Sequence, residues 1–204
     1  MNIGFYVEDE EYFDMARMLV RSAKEHMPDV PIYQLTREKV RAPCEAIRIP
    51  GDMPMGVRRL KHYASLEGNW LFLDVDVLFQ RDVRHVFDLP FDVAFASREG
   101  TFLENHDYAK VMPYNFGVVF SKNPAYWQML IPHLLELSPE LQEWGGEQYL
   151  AGQLANQALS CFSVEILPSA YNFTPVRRDD DFRHAAIVHY KGKRKAWILS
   201  TMHQ

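Results

Sequence analysis

Asp74 and Asp76, separated only by Val75, directly follow the apolar run Trp70-Leu71-Phe72-Leu73. That run has strand character on both faces. Along an extended chain residues i and i+2 point to the same side, so the two carboxylates can converge on one cation. In open α/β sheets ligands gather at the carboxyl ends of strands, which is where this pair falls. A bare D-x-D is most often a solvated turn. The apolar strand ahead of this one is what raises a metal site as the rival reading.

Two carboxylates suit a hard dication, Mg²⁺ or Mn²⁺, that still needs further ligands. A histidine as third ligand tilts the choice toward Mn²⁺. Eight histidines are present: His26, His62, His85, His106, His133, His184, His189 and His203. His189 stands apart because it ends an apolar strand and opens His189-Tyr190-Lys191-Gly192-Lys193-Arg194-Lys195-Ala196-Trp197. Gly192 lets backbone approach an anion closely, and Lys195 offers a cation to a phosphate. The competing reading is a solvated basic tail. The other histidines have no partner spacing and read as structural. Asp179-Asp180-Asp181 is a rival acidic cluster, but no apolar strand precedes it, so a solvated loop is expected there.

The elements that must position these groups follow from periodicity. A strand over 3–7, an acidic loop over 8–11, a helix over 13–26 and a strand over 32–35 open the chain. Met15, Leu19, Ser22, Ala23 and His26 recur at helical spacing. Strand-helix-strand is the start of a parallel α/β sheet. An irregular stretch with Pro43, Pro50, Gly51, Pro54 and Gly56 leads to a basic helix over 57–66. Its Arg58, Arg59, Lys61 and His62 would ordinarily make a solvated face. After the D-x-D, strands are expected over 93–96 and 115–120, helices over 124–137 and 147–157, and late strands over 164–167 and 186–190. Strands and helices alternate early and become irregular late. The predicted organisation is one domain over 1–204, with a nucleotide-binding half over about 1–100 and a second-substrate half over about 101–204.

Composition narrows the function classes. The 204 residues are 48% hydrophobic, enough for a packed core. No window approaches the ~18–20 apolar residues of a membrane span. The N-terminus lacks the basic flank of a signal peptide. A net charge of -5 argues against a nucleic-acid binder. Cys44 and Cys161 form neither a metal pattern nor a disulfide framework, and a cytoplasmic setting is expected.

These residues carry a resemblance. H-x-x-G-x-x-K-P-W near the C-terminus, with D-x-D closing a mid-chain strand, is similar to glycosyltransferase family 8, a retaining GT-A group. Here His189, Gly192, Lys195 and Trp197 match, with Ala196 in place of proline. Arg59-Leu60-Lys61 resembles the family's R-L-K helix. Tyr114-Asn115-Phe116-Gly117-Val118-Val119 resembles its F-N-A-G-V strand, with Phe116 replacing alanine. Glu147-Gln148 resembles the D-Q pair that lines the donor sugar, the acid longer by one methylene. Leu167-Pro168-Ser169-Ala170-Tyr171-Asn172-Phe173-Thr174-Pro175 resembles L-x-x-x-x-N-F-M-P. The loop from Val7 through Asp9 to Tyr12 resembles the uridine pocket, with Tyr12 as stacking face.

The resemblance implies a GT-A fold, with a mostly parallel central sheet flanked by helices. It implies Mn²⁺ or Mg²⁺ on Asp74, Asp76 and His189, and a UDP-sugar whose diphosphate Lys195 holds. Arg59, Val75, Asn115, Gly117 and Gly192 would line the donor, and Glu147 and Gln148 would face the anomeric centre. The implied reaction moves a hexose to a hydroxyl acceptor (glycan, lipid-linked sugar or protein) with retention. Two other readings compete. A sugar nucleotidyltransferase would call for a Gly-rich basic first loop, and Glu8-Asp9-Glu10-Glu11 is acidic. A non-catalytic nucleotide-sugar or glycan-binding domain would keep the fold without turnover.

Overall fold

The computed structural model describes residues 1–37, 43–98, 102–103, 106–107, 112–155 and 161–200. Strand β1 (Asn2–Tyr6) leads through a 3-10 turn (Glu10–Tyr12) into α1 (Phe13–His26). The helix buries Phe13, Met15, Ala16, Leu19, Val20 and Ala23, one apolar stripe at helical spacing. Strand β2 (Ile32–Thr36) then pairs parallel to β1. A parallel edge strand, β3 (Glu45–Arg48), lies inside the stretch that reads as irregular. Four residues flanked by Pro43 and Pro50 are too few for alternation to reveal it.

Helix α2 (Met55–Ser65) feeds β4 (Trp70–Leu73), and β5 (Val77–Phe79) follows after a turn. Next come β6 (Val93–Ser97), the short β7 (Phe102–Leu103) and β8 (His106–Asp107), and β9 (Tyr114–Ser121). Helices α3 (Pro124–Leu135), α4 (Pro139–Glu143) and α5 (Gly146–Ala155) precede β10 (Val164–Leu167). The described chain closes with β11 (Ile187–His189) and α6 (Lys195–Ser200). The expected helix end at Gln157, and His203, lie outside the described residues.

Seven strands form the main sheet in the order β10-β6-β9-β4-β1-β2-β3. All neighbours pair parallel except β9, which runs antiparallel to both β4 and β6. The mostly parallel sheet flanked by helices is therefore present. Alternation splits β4 between two cores: Leu71 and Leu73 pack with α1, whereas Trp70 and Phe72 pack with Leu60 of α2 and Trp127 of α3. A second, two-stranded sheet pairs β5 with β11.

This topology sets the site. Strands β1, β4, β6 and β10 all end at one edge of the main sheet. Because β9 is reversed, its first residues arrive at that same edge, and the Asp74 N–H donates to the Gly117 carbonyl at 3.0 Å. The ends of β1, β4 and β6 and the start of β9 thus deliver Val7, Asp74, Arg98, Asn115 and Gly117 to one place.

Candidate metal and donor site

The chain does not stay extended through the D-x-D. It turns at Val75 and Asp76 and crosses from β4 into β5 of the second sheet. Strand alternation is therefore not what brings the carboxylates together; the turn is. Buried Val75 anchors it in the core, and the Asp76 carbonyl accepts from the Tyr190 N–H at 2.9 Å. Strand β11 pairs antiparallel with β5 and sets His189 opposite Val77, one step from Asp76.

One ligand atom from each of Asp74, Asp76 and His189 lies within 4.8 Å of the others. The His189 Nε2 is 3.0 Å from Asp76 Oδ1 and 3.6 Å from Asp74 Oδ2. Adjacent ligands on an octahedral ion with bonds near 2.1 Å sit about 3.0 Å apart, so the first spacing is that of a coordination edge. The tautomer agrees. Asn172 Nδ2 donates to the Asn115 carbonyl at 3.2 Å, which leaves its Oδ1 to face His189 Nδ1 at 2.8 Å. Nδ1 must then carry the hydrogen, which leaves Nε2 as the ring nitrogen that faces the two carboxylates. Two carboxylates and an imidazole converging in this way could hold a divalent cation, and the donor set fits Mn²⁺ or Mg²⁺. Burial raises the Asp76 carboxyl, but His189 and Lys195 outweigh it and hold it below the ordinary carboxylate range.

Gly117 is what admits the imidazole, since a Cβ there would overlap the His189 ring. Its neighbour Phe116 points to the opposite face of β9, as alternation requires, and stacks on Phe95 with ring centroids 5.0 Å apart. The departure from the family's alanine therefore fills the core and leaves the site open. Gly192 carries a φ of 57° with nothing near its absent Cβ, so its conformation, rather than crowding, calls for glycine.

Helix α2 differs from the solvated basic face expected of it. Arg58, Arg59 and His62 are all buried, and of the four only Lys61 is exposed. Arg59 bridges the site: Nη2 is 3.3 Å from Asp74 Oδ1 and Nη1 is 3.4 Å from Glu147 Oε1. Burial lowers the Arg59 guanidinium's pKa, but Tyr63, Asp74 and Glu147 outweigh that and raise it. Arg58 had no expected role. It binds the Tyr6 hydroxyl at 2.8 Å and the Glu8 carboxylate at 3.2 Å, fixing the loop at the end of β1.

That loop holds Val7 buried, with its carbonyl accepting from Gln34 Nε2 at 2.9 Å, while Asp9 is exposed. The Lys195 ammonium lies 4.5 Å from the centroid of the Tyr12 ring and 3.6 Å from Asp76 Oδ2. Tyr12 and Lys195 are thus adjacent, and the cation covers the aromatic face.

Glu147 is buried at the start of α5, and among the described residues its Oε2 has no hydrogen-bond partner. Gly56 lets α2 approach closely, because a Cβ there would come within 2.6 Å of the Gln142 carbonyl and 3.1 Å of Glu147 Oε2. The Gln148 Oε1 accepts from Arg98 Nη2 at 2.7 Å and from the Phe116 N–H at 3.2 Å. Both partners are donors, so the amide orientation is fixed: oxygen inward, NH₂ outward. The unexpected members of the site are Arg98, Lys191 and Asn172. A charged residue directly after a parallel strand was the available sign for Arg98. Burial and Arg98 push the Lys191 ammonium down to about 8.

The other candidates stay apart. Asp180 Oδ2 accepts from the Val176 and Arg177 N–H groups, and Asp181 pairs with Arg183, so the rival acidic cluster is a self-capped exposed loop. His62 binds the Arg58 carbonyl at 3.0 Å, and His85 the Tyr171 hydroxyl at 2.8 Å. No helix among the described residues is long and apolar enough to cross a membrane.

No protein-family model and no curated protein sequence matches the chain. Solved structures do resemble it. The galactosyltransferase LgtC, solved with donor and acceptor sugar analogs, superposes with a TM-score of 0.65 at 17% identity, over 95% of this chain and 88% of LgtC. The glycosyltransferase GlyE of Streptococcus pneumoniae TIGR4 gives 0.64 at 16% identity, over 96% of this chain and 59% of GlyE. A glycosyltransferase involved in glycosylating the major capsid of PBCV-1 gives 0.63 at 14% identity, over 99% of this chain and 98% of that one. The chain therefore has the GT-A fold of these glycosyltransferases, a mixed α/β sheet whose shared edge carries the Asp74, Asp76 and His189 cluster.

Proposed function

We propose that this chain is a metal-dependent glycosyltransferase that moves a hexose from a UDP-sugar to a hydroxyl acceptor with retention. The observation that carries the reading is the convergence of Asp74, Asp76 and His189 within 4.8 Å at the sheet edge. A bound Mn²⁺ or Mg²⁺ would supply Lewis-acid neutralisation of the charge that develops on the departing UDP.

In this reading Val7, Asp9 and Tyr12 hold uridine. The base stacks on the Tyr12 face, and Lys195 moves from that face to the diphosphate. Lys195 and Arg59 are fixed positive charges at the leaving group. Gly192, in its left-handed conformation, turns backbone toward the same phosphates. Asn115 and Gly117 line the sugar, and Glu147 directs its free Oε2 at sugar hydroxyls. Gln148 is a poor nucleophile on two counts: it is an amide, and both lone-pair directions of its oxygen are engaged by Arg98 and Phe116. That favours same-face attack through an oxocarbenium-like ion pair, with the leaving phosphate accepting the acceptor's proton. A single domain over 1–204, and a cytoplasmic setting in keeping with free Cys44 and Cys161, complete the proposal.

Calorimetric titration with UDP, with and without Mn²⁺, tests the donor site, and UDP release across a panel of UDP-sugars tests turnover. UDP should bind only with metal, and Asp76→Asn should lose both binding and release. UDP affinity indifferent to both EDTA and Asp76→Asn would sink the metal assignment. Metal-dependent binding without release from any donor would mark a non-catalytic domain.

A further inference from the structure

An amide offers an acceptor on one side and two donors on the other, so what Gln148 shows a substrate depends on what holds its far side. Its Oε1 accepts from Arg98 Nη2 at 2.7 Å and from the Phe116 N–H at 3.2 Å. A turned amide would set its NH₂ against two donors and strip both of their acceptor, which is costly away from water. Gln148 therefore enters the site as a donor. The fold supplies the second of these contacts through a slip in register. Phe95 of β6 lies opposite Val119 of β9, whereas the next residue, Ala96, lies opposite Asn115. Phe116 falls in the skipped stretch, and its N–H goes to the Gln148 side chain.

The first contact comes from Arg98, directly after β6. Its N–H donates to the Pro113 carbonyl at 2.8 Å, which anchors it to the chain entering β9. Among the described residues its guanidinium pairs with no carboxylate and its Nε has no hydrogen-bond partner, and burial lowers its pKa. Holding an amide oxygen would not by itself call for a charge. A charged donor, however, makes a hydrogen bond roughly twice as strong as a neutral one, so Arg98 pins the amide more firmly than a hydroxyl or amide would. We propose that Arg98 is a positioning residue for sugar transfer, which holds the Gln148 oxygen so that the amide NH₂ donates to an oxygen of the bound sugar. This rests on the function proposed above, in which Gln148 faces the donor sugar. Glu147, one residue earlier, brings a carboxylate that accepts. Together the two side chains suit hydroxyl groups, which do both.

Steady-state kinetics with Mn²⁺ and the most active member of the UDP-sugar panel tests the role, with calorimetry of UDP alone as the control. Arg98→Met should lower kcat/KM about tenfold or more while UDP affinity changes by less than about threefold, because UDP carries no sugar for Gln148 to meet. Gln148→Met should cost at least as much. Added to Gln148→Met, the Arg98→Met change should cost less than about twofold further, since Arg98 acts through the amide. Arg98→Lys, which keeps a charged donor, should recover part of the loss. In the resting protein, the NH₂ signals of Gln148 are identified by their absence from Gln148→Met, and Arg98→Met should shift them. Melting temperatures check that each variant is folded. If Arg98→Met is unfolded at the assay temperature, the cycle is run with Arg98→Lys, whose smaller loss should likewise vanish beside Gln148→Met.

The same factor lost with and without Gln148 overturns the proposal, because Arg98 would then act on its own. So does an unchanged kcat/KM, or Gln148 signals that do not move. A loss of UDP affinity of about tenfold overturns it too, by assigning Arg98 to the diphosphate. All four outcomes leave the glycosyltransferase reading intact. Failure of the wild-type protein to release UDP from any donor overturns that reading and this inference with it.

Discussion

Asn172 Oδ1 lies 2.8 Å from His189 Nδ1, and this contact decides which ring nitrogen faces Asp74 and Asp76. Asn172 is itself oriented by the Asn115 carbonyl, at the start of β9. The proposed metal site is therefore braced by a residue that would not itself touch the ion. Asn172→Ala should weaken Mn²⁺ binding about 10–100-fold while the protein stays folded, as loss of an outer partner of a ligating histidine usually does. Mn²⁺ titration followed by electron paramagnetic resonance reads this directly. An unchanged dissociation constant would mean that His189 needs no such brace or is not a ligand.

Gly117→Ala puts a methyl group where the imidazole of His189 sits. The ring is pinned by Asn172 and Asp76 and cannot step aside freely. Stability should fall by about 1–3 kcal/mol, the usual cost of overpacking a filled space. Metal affinity should fall with it. Urea unfolding at matched pH measures the first, and a variant as stable as wild type would show that the ring relocates.

Arg59→Ala removes the shared partner of Asp74 and of buried Glu147. Breaking a buried ion pair from one side costs about 3–5 kcal/mol, because the remaining charge is left unpaired. Adding Glu147→Gln should recover part of that loss, since the amide carries no charge to strand. A double variant less stable than Arg59→Ala alone would argue that Glu147 is not what loss of Arg59 leaves stranded.

Lys191 gives a pH signature. Its native pKa of about 8 lies below the ordinary lysine value near 10.4. Below pH 8 both states hold the proton and the cost of burying the charge is fully present. Between about pH 8 and 10.4 the native state sheds its proton first, so stability rises with pH across that window. The neutral Lys191→Met variant should therefore be the more stable protein at pH 7, with the advantage vanishing above about pH 10.4. Even one unit of the difference, trimmed for solvent screening, is about 1.4 kcal/mol, or about 3–6 °C in melting temperature for a chain of this size. A wild-type melting temperature flat from pH 8 to 10 in the metal-free protein would contradict it.

Lys195→Ala should lower kcat more than it raises KM for the UDP-sugar, because leaving-group charge peaks in the transition state. Steady-state kinetics with the active donor checks this. A change confined to KM would show an interaction equal in ground and transition states.

Much of this was legible in the chain. The apolar run Trp70–Leu73, the following carboxylates and the His189 to Trp197 segment identify themselves by residue type and spacing, because β-strand alternation and metal-ligand chemistry are local properties. Gly117 and the Glu147-Gln148 pair were marked by their resemblance to family 8 segments rather than by residue type alone. The burial of Arg58, Arg59 and His62 was not legible, since a basic helix reads as solvated until the charges that face it are known. Short β3 escaped for want of enough residues to show a period.

What the sequence by itself determined is the set of donor groups and the strands that carry them. What only the tertiary structure decided is how they meet. The D-x-D converges through a turn between two sheets, β9 runs against its neighbours to bring Gly117 and Asn115 to the same edge, and Asn172 selects the histidine tautomer. Arg98 and Gln148 are fifty positions apart, and only the fold brings the guanidinium within 2.7 Å of the amide oxygen. Sequence spacing encodes neighbours along one element, whereas the electrostatics of a site are summed across all the elements that end there.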